Sequence, residues 1–228
     1  MPALKRPQKR PVKRIGLLGG SFNPAHGGHT HISQMALERL KLDEVWWLVS
    51  PGNPLKPPES MAPFAERLAA AEKVADASGK PIIVSDVERQ MGFRYSVDTV
   101  SALKRRWPRD RFVWIMGADN LIQAHRWRKW RTFFKSVPIA VFPRPTYSLR
   151  ANKAKAARRF ASAKAPPSRA HALAGMAPPA WVFPRARLDA QSATRIRQSK
   201  KDQNKKKGES HTTKQKNAAE RSRVAEID

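Results

Sequence analysis

Residues 19–29 run Gly-Gly-Ser-Phe-Asn-Pro-Ala-His-Gly-Gly-His. The glycines let backbone amides come close to a ligand. A helical pattern starts directly afterwards, so its first amides and its dipole favour a phosphate. His26 and His29 are three apart, which sets both imidazoles on one face of the first helical turn. Imidazoles so placed can donate hydrogen bonds to phosphate oxygens. The spacing is neither the GxGxxG dinucleotide fingerprint nor a P-loop ending in GKS or GKT, so no P-loop lysine serves here. Two other readings stand beside this one. His26, His29 and His31 could ligate a metal, although no cysteine or close carboxylate completes a set. They could also pack into a core, for which a histidine flanked by glycines in a strand-to-helix loop is poorly placed.

The surrounding pattern says what positions that loop. Lys13–Leu18 is a short apolar run that predicts a buried strand ending at the glycines. His29–Leu40 has apolar residues near helical spacing, and Val45–Val49 is a second strand. Prolines and Gly52 break the chain after Ser50. Phe64–Ala77 is helical by propensity, Pro81–Val84 a third strand, and Ser96–Trp107 a helix stopped by Pro108. Phe112–Met116 is a fourth strand, Asn120–Phe134 one or two short helices, and Ile139–Phe142 a fifth strand. Trp181–Phe183 is a candidate sixth, and the alanine-rich stretch 151–174 is left open. Alternating strands and helices predict an α/β fold, a Rossmann-like doubly wound parallel sheet of five or six strands in a single domain. In such sheets a ligand lies beyond the carboxyl ends of the strands. The informative positions are then 19–29, 50–56, 86–99, 117–119, Arg144 and 191–197.

The first of these segments, GGSFNPAHGGH, resembles the HxGH motif of the nucleotidyltransferase superfamily. Its longer form, GG(S/T)F(D/N)PxHxGH, is similar to bacterial nicotinate-nucleotide adenylyltransferase. The family's second signature, ISxTxIR, resembles Gln191-Ser192-Ala193-Thr194-Arg195-Ile196-Arg197. SxTxxR alone is a weak pattern, better read as a capped surface helix; with the first motif at the other end it becomes strong. Arg94–Thr99 resembles the family's SYTxxT stretch, and Met116–Asn120 its GxD motif. Trp127 followed by Arg128 resembles the tryptophan that stacks on the pyridine ring, a role for which a flat π-face suits. The alternative for Trp127 is an exposed or half-buried anchor. The likeness spans about residues 14 to 197. It departs from the family at Gln191, where isoleucine is usual, and after Arg197, where the family continues with an apolar helix.

The resemblance implies adenylyl transfer from ATP to nicotinate mononucleotide, giving nicotinate adenine dinucleotide and pyrophosphate in NAD biosynthesis. It assigns the catalytic role to His26, His29 and Arg197. ATP would be held by Gly19, Gly20, Ser21, Phe22, Gly117, Asp119, Ser192 and Thr194. The mononucleotide would be held by Asn23, Lys56, Tyr95, Ser96, Thr99, Trp127, Arg128 and Arg144. Mg²⁺ would bridge β- and γ-phosphate oxygens and keep its waters, with no dedicated set of protein ligands. The residues alone do not decide between nicotinate and nicotinamide mononucleotide, and they leave the oligomeric state open.

Composition bounds the rest. The chain has 228 residues, 45 Lys and Arg against 18 Asp and Glu, a formal charge of +27, and no cysteine. A disulfide framework, a zinc ribbon and a thiol nucleophile are excluded. No apolar run reaches membrane-spanning length and no signal-type stretch precedes Ile15, so a cytoplasmic protein without a membrane partner is expected. Residues 1–14 carry +6, 144–169 carry +8 and 195–228 carry +6, so most of the charge lies in the ends and one late segment. The expected organisation is a basic arm over 1–13, a nucleotidyltransferase domain over 14–197, and a polar, basic, disordered tail over 198–228. Such tails can touch nucleic acid nonspecifically, or they can simply keep the chain soluble. Two rivals remain on sequence grounds: an HxGH transferase acting on pantetheine phosphate or a polyol phosphate, and a basic RNA-associated binding protein.

Overall fold

The computed structural model describes residues 11–52, 61–144 and 147–185. Its seven strands are β1 (Arg14–Gly20), β2 (Glu44–Val49), β3 (Ile82–Ser85), β4 (Arg111–Gly117), β5 (Ile139–Phe142), β6 (Lys164–Ala165) and β7 (Trp181–Val182). They form one sheet in the order β3-β2-β1-β4-β5-β7-β6. Every pairing is parallel. Parallel strands covered on both faces need apolar side chains on both sides. That is why Phe112–Met116 and Ile139–Phe142 are buried without a break. No helix among the described residues is long and apolar enough to cross a membrane.

Helices cover both faces. Beside one face, α1 (Gly27–Leu40) and α2 (Phe64–Asp76) bury Ala36, Leu40, Ala71 and Ala75 in a core with Leu18, Trp47 and Val113. Beside the other lie α4 (Ser96–Arg106), α5 (Ala118–Gln123) and α6 (Trp130–Ser136), whose core holds Val100, Leu103, Leu121, Phe133 and Phe134 with Leu17 and Trp114. The last turn of α4 is Lys104, Arg105 and Arg106, the charge that a helix carboxyl end favours. The short α3 (Val87–Gln90), α7 (Ser148–Asn152) and α8 (Lys155–Arg159) complete the set.

The architecture is the expected doubly wound one, with one strand more than predicted. The candidate sixth strand is β7. The added strand, β6, is two residues long and lies in the alanine-rich stretch that the sequence left open. Two residues carry no periodicity, so only their pairing with β7 defines them. The four-residue α3, beyond β3, escaped notice for the same reason. From β1 the chain winds outward through β2 and β3, then returns to β4 on the opposite side of β1. The carboxyl ends of β1 and β4 therefore frame the switch-point crevice.

Candidate active site

The loop after β1 is built on an aromatic stack. Phe22 has φ of 45°, a left-handed conformation that a bulky side chain rarely adopts. Such a residue costs of order 1–3 kcal/mol and persists only where its surroundings hold it. Here its ring is 1% exposed and stacks on Trp47 with centroids 5.1 Å apart. The His29 ring lies 4.8 Å from it. Trp47 Nε1 donates to Ser33 Oγ at 2.8 Å, and Ser33 Oγ donates to the His29 carbonyl at 2.8 Å. The strained turn, the second strand and the first helix are locked together beneath the histidines.

His26 is the N-cap of α1 and His29 its third residue. The Gly28 amide donates to His26 Nδ1 at 3.0 Å, and the His26 amide donates to His29 Nδ1 at 3.2 Å. This is a reciprocal capping box made by two histidines. Each Nδ1 accepts, so the proton of each neutral imidazole belongs on Nε2. The ring centroids are 4.0 Å apart. Burial first, then the electrostatic influence of neighbouring His26 and of the Arg144 guanidinium, hold the proton affinity of His29 well below the ordinary histidine value. At neutral pH His29 is thus an uncharged donor. His26 is 6% exposed, buried despite its place in a glycine-rich loop.

Beyond β4, Gly117 meets an ion pair. Arg144, just after β5, has Nε 3.3 Å from Asp119 Oδ1, and its Nη1 donates to Oδ2 at 3.3 Å. A Cβ on residue 117 would stand 2.5 Å from Asp119 Oδ1 and 2.8 Å from Arg144 Nε, so only glycine admits the pair. Gly19 is required likewise, because a Cβ there would lie 2.6 Å from the Trp114 indole. Among the described residues no group of three or more His, Cys, Asp or Glu is arranged to hold a metal ion. Asp119 Oδ1 is buried without a hydrogen bond, but its carboxylate is already paired with Arg144 and makes no cage alone.

A second cluster forms at the start of α4. Tyr95 is the N-cap of α4, and the exposed Arg128 guanidinium lies 4.8 Å over its ring. Trp127 is half-buried, edge-on to Trp114 at 6.4 Å and to Phe133 at 5.5 Å. Trp114 thus links this cluster to Gly19 of the first loop. Thr99 differs from expectation. It is 1% exposed, and its hydroxyl donates to Glu88 Oε1 at 2.9 Å, so it faces the interior. Burial pushes the Glu88 carboxyl up to about 7, against the opposing bond from Thr99.

The structure brings together His26, His29, Phe22, Asp119 and Arg144, and separately Tyr95, Ser96, Trp127 and Arg128. Phe22 lies beneath the others, its ring buried. Asn23 Oδ1 accepts from the Ala62 amide at 3.2 Å, tying the first loop to the entry of α2. Lys56, Ser192, Thr194 and Arg197 lie outside the described residues, as do most of both basic ends. Sequence reasoning missed Arg67, Glu88, and the Trp47–Ser33 link. Arg67 had left a signal: it shares the buried stripe of α2 with Ala71 and Ala75, an anomalous place for a cation.

The family model described as Cytidylyltransferase-like matches residues 17–199. A protein of Caulobacter sp. (strain K31), named probable nicotinate-nucleotide adenylyltransferase, is 50% identical over 184 residues, 81% of this chain and 96% of that one. One of the same name from Bradyrhizobium sp. (strain BTAi1 / ATCC BAA-1182) is 55% identical over 170 residues, 75% of this chain and 88% of its own. Among solved structures, Plasmodium falciparum nicotinic acid mononucleotide adenylyltransferase complexed with NaAD aligns with a TM-score of 0.57 at 16% identity, covering 82% of this chain and 83% of that one. At that identity the likeness speaks for the fold.

Proposed function

The chain belongs to the nicotinate-nucleotide adenylyltransferases, within the Cytidylyltransferase-like family, and on that premise we propose that it transfers the adenylyl group of ATP to nicotinate mononucleotide. A phosphate oxygen of the mononucleotide attacks the α-phosphorus in line. The new P–O bond forms as the bond to the β-phosphate breaks, and pyrophosphate leaves with the electron pair. The nucleotide enters as its magnesium complex, so the metal is part of the substrate. No covalent enzyme intermediate is needed, and catalysis is positioning and charge stabilisation.

The observation that carries this reading is the reciprocal His26–His29 cap, which holds both imidazoles in one orientation, Nδ1 accepting, at the carboxyl end of β1. They would bind the triphosphate and stabilise charge at the α-phosphoryl as it transfers. Gly19, Gly20 and Ser21 would offer backbone to the nucleotide, and Gly117 with Asp119 would face the adenylyl group and ribose. Arg144 would reach the mononucleotide phosphate, Trp127 would stack on the pyridine, and Tyr95, Ser96 and Arg128 would hold its carboxylate. Lys56, Ser192, Thr194 and Arg197 would hold phosphates by the same family reasoning. The catalytic domain would span 14–197, with basic ends that contact nucleic acid only nonspecifically.

The test is pyrophosphate release from Mg-ATP with nicotinate mononucleotide, nicotinamide mononucleotide or pantetheine phosphate as acceptor. Clear preference for the first supports the reading. No release from folded protein with any acceptor, or preference for pantetheine phosphate, overturns it.

A further inference from the structure

Arg67 is 3% exposed, and among the described residues its side-chain hydrogen bonds all go to backbone carbonyls. Its Nη1 donates to Ser21 O at 2.6 Å and Ser50 O at 2.9 Å, its Nη2 to Pro51 O at 3.1 Å, and its Nε to Ala62 O at 3.0 Å. These carbonyls belong to the loop after β1, the loop after β2, and the entry to α2. Among the described residues no carboxylate pairs with it, and its guanidinium lies 5.3 Å from the Phe64 ring. Removal from water lowers its proton affinity, yet guanidinium remains charged at any working pH. A buried cation held by carbonyls alone is an expensive arrangement. A fold seeking stability alone would use an apolar side chain on this stripe of α2, as it does at Ala71 and Ala75.

We propose that Arg67 is a positioning residue for the transfer reaction: it clamps the loops after β1 and β2 to one another and so fixes the turn that carries His26 and His29. The inference rests on the adenylyl-transfer reading. A planar fork with five fixed donors can bind four carbonyls from three segments at once. Lysine, with three donors on a flexible stem, cannot reproduce that geometry while keeping the charge. The clamp also sets a positive charge beneath the loop after β1, the sign that a triphosphate and a mononucleotide phosphate both favour.

The test compares Arg67→Met and Arg67→Lys with wild type in kcat, KM for each substrate, circular dichroism and thermal melting. Misplacement of reacting groups by about 1 Å can cost a hundredfold, so kcat should fall by about 30-fold or more in Arg67→Met and about tenfold in Arg67→Lys, with KM for ATP within about threefold. A structural role alone would lower the melting temperature and leave kcat per folded molecule within about threefold of wild type, which overturns the proposal. If Arg67→Met does not fold, Arg67→Lys decides. Failure of both to fold would also overturn it, by assigning Arg67 to the fold rather than the site. Wild type without turnover would sink the reaction reading itself, whereas active wild type with unaffected variants sinks only the clamp.

Discussion

The loop after β1 and the loop before α4 both lie beyond the carboxyl ends of the sheet, and they are held in opposite ways. The first is fixed from every side: a reciprocal histidine cap, a buried Phe22–Trp47 stack, and a guanidinium clamp on its carbonyls. It even holds Phe22 in a strained conformation. The second rests on a buried Glu88–Thr99 bond below and an Arg128–Tyr95 contact at the surface. Its N-cap, Tyr95, makes no side-chain capping bond. Charge development at a phosphorus tolerates little displacement of its donors, so the rigid loop suits the chemistry. A flat pyridine ring needs an aromatic face and one anchor, which a half-exposed, adaptable loop can supply.

The largest expected effect lies in the rigid half. His29→Ala removes one Nε2–H donor and the acceptor for the His26 amide together. Turnover should fall by about two orders of magnitude or more, as when an oxyanion donor is removed. Circular dichroism should stay unchanged, because α1 keeps its Ser33–Trp47 tie. Near-normal kcat in a folded His29→Ala protein would mean that the rigid loop is scaffolding and the chemistry is elsewhere.

Legibility follows the same division. The first loop could be read at once, because its chemistry depends on residue types at fixed spacing within eleven positions. What the sequence hid was its support. Arg67 bonds to carbonyls 16 and 46 residues away, and backbone carbonyls leave no trace in residue types. The family stretch groups Thr99 with Tyr95 and Ser96 as a hydroxyl for the mononucleotide. Helical spacing turns it inward, beside Val100 and toward Glu88, which lies eleven residues earlier on a four-residue helix too short to show a pattern. Strands β1 to β5 were legible as apolar runs. Strand β6 was not, since its two residues are defined only by what they pair with.

The hidden support of the second loop is a buried acid, and it ties stability to pH. Glu88 is neutral when folded up to about pH 7, whereas the unfolded carboxyl ionises near its ordinary 4.5. The unfolded chain therefore releases the proton first, and stability is lost as pH rises from 4.5 through 7. The loss is on the order of 3 kcal/mol when complete. His29 acts in the other direction. Its depressed affinity lets the unfolded chain bind the proton first, so stability falls as pH drops below 6.5. Glu88→Gln keeps an acceptor for Thr99 and cannot ionise. It should melt higher than wild type at pH 8 and equal it near pH 4.5. Parallel melting curves for the two proteins across that range would show that the adaptable loop is not resting on a buried acid.

The smallest effect is expected at the surface of the adaptable half. Arg128 is exposed and touches the Tyr95 ring at 4.8 Å, a cation–π contact worth about 0.5–1 kcal/mol at such a site. Arg128→Ala should therefore raise KM for nicotinate mononucleotide only about threefold and leave kcat and KM for ATP alone. The comparison with nicotinamide mononucleotide tells why. If the guanidinium meets the pyridine carboxylate, KM rises for the acid and not for the amide, and selectivity narrows. If it only braces Tyr95, both rise alike. Arg128→Lys separates the two again, because an ammonium keeps the charge but stacks less well on a ring. A hundredfold loss in Arg128→Ala would break the contrast, since the exposed loop would then hold its ligand as strictly as the buried one.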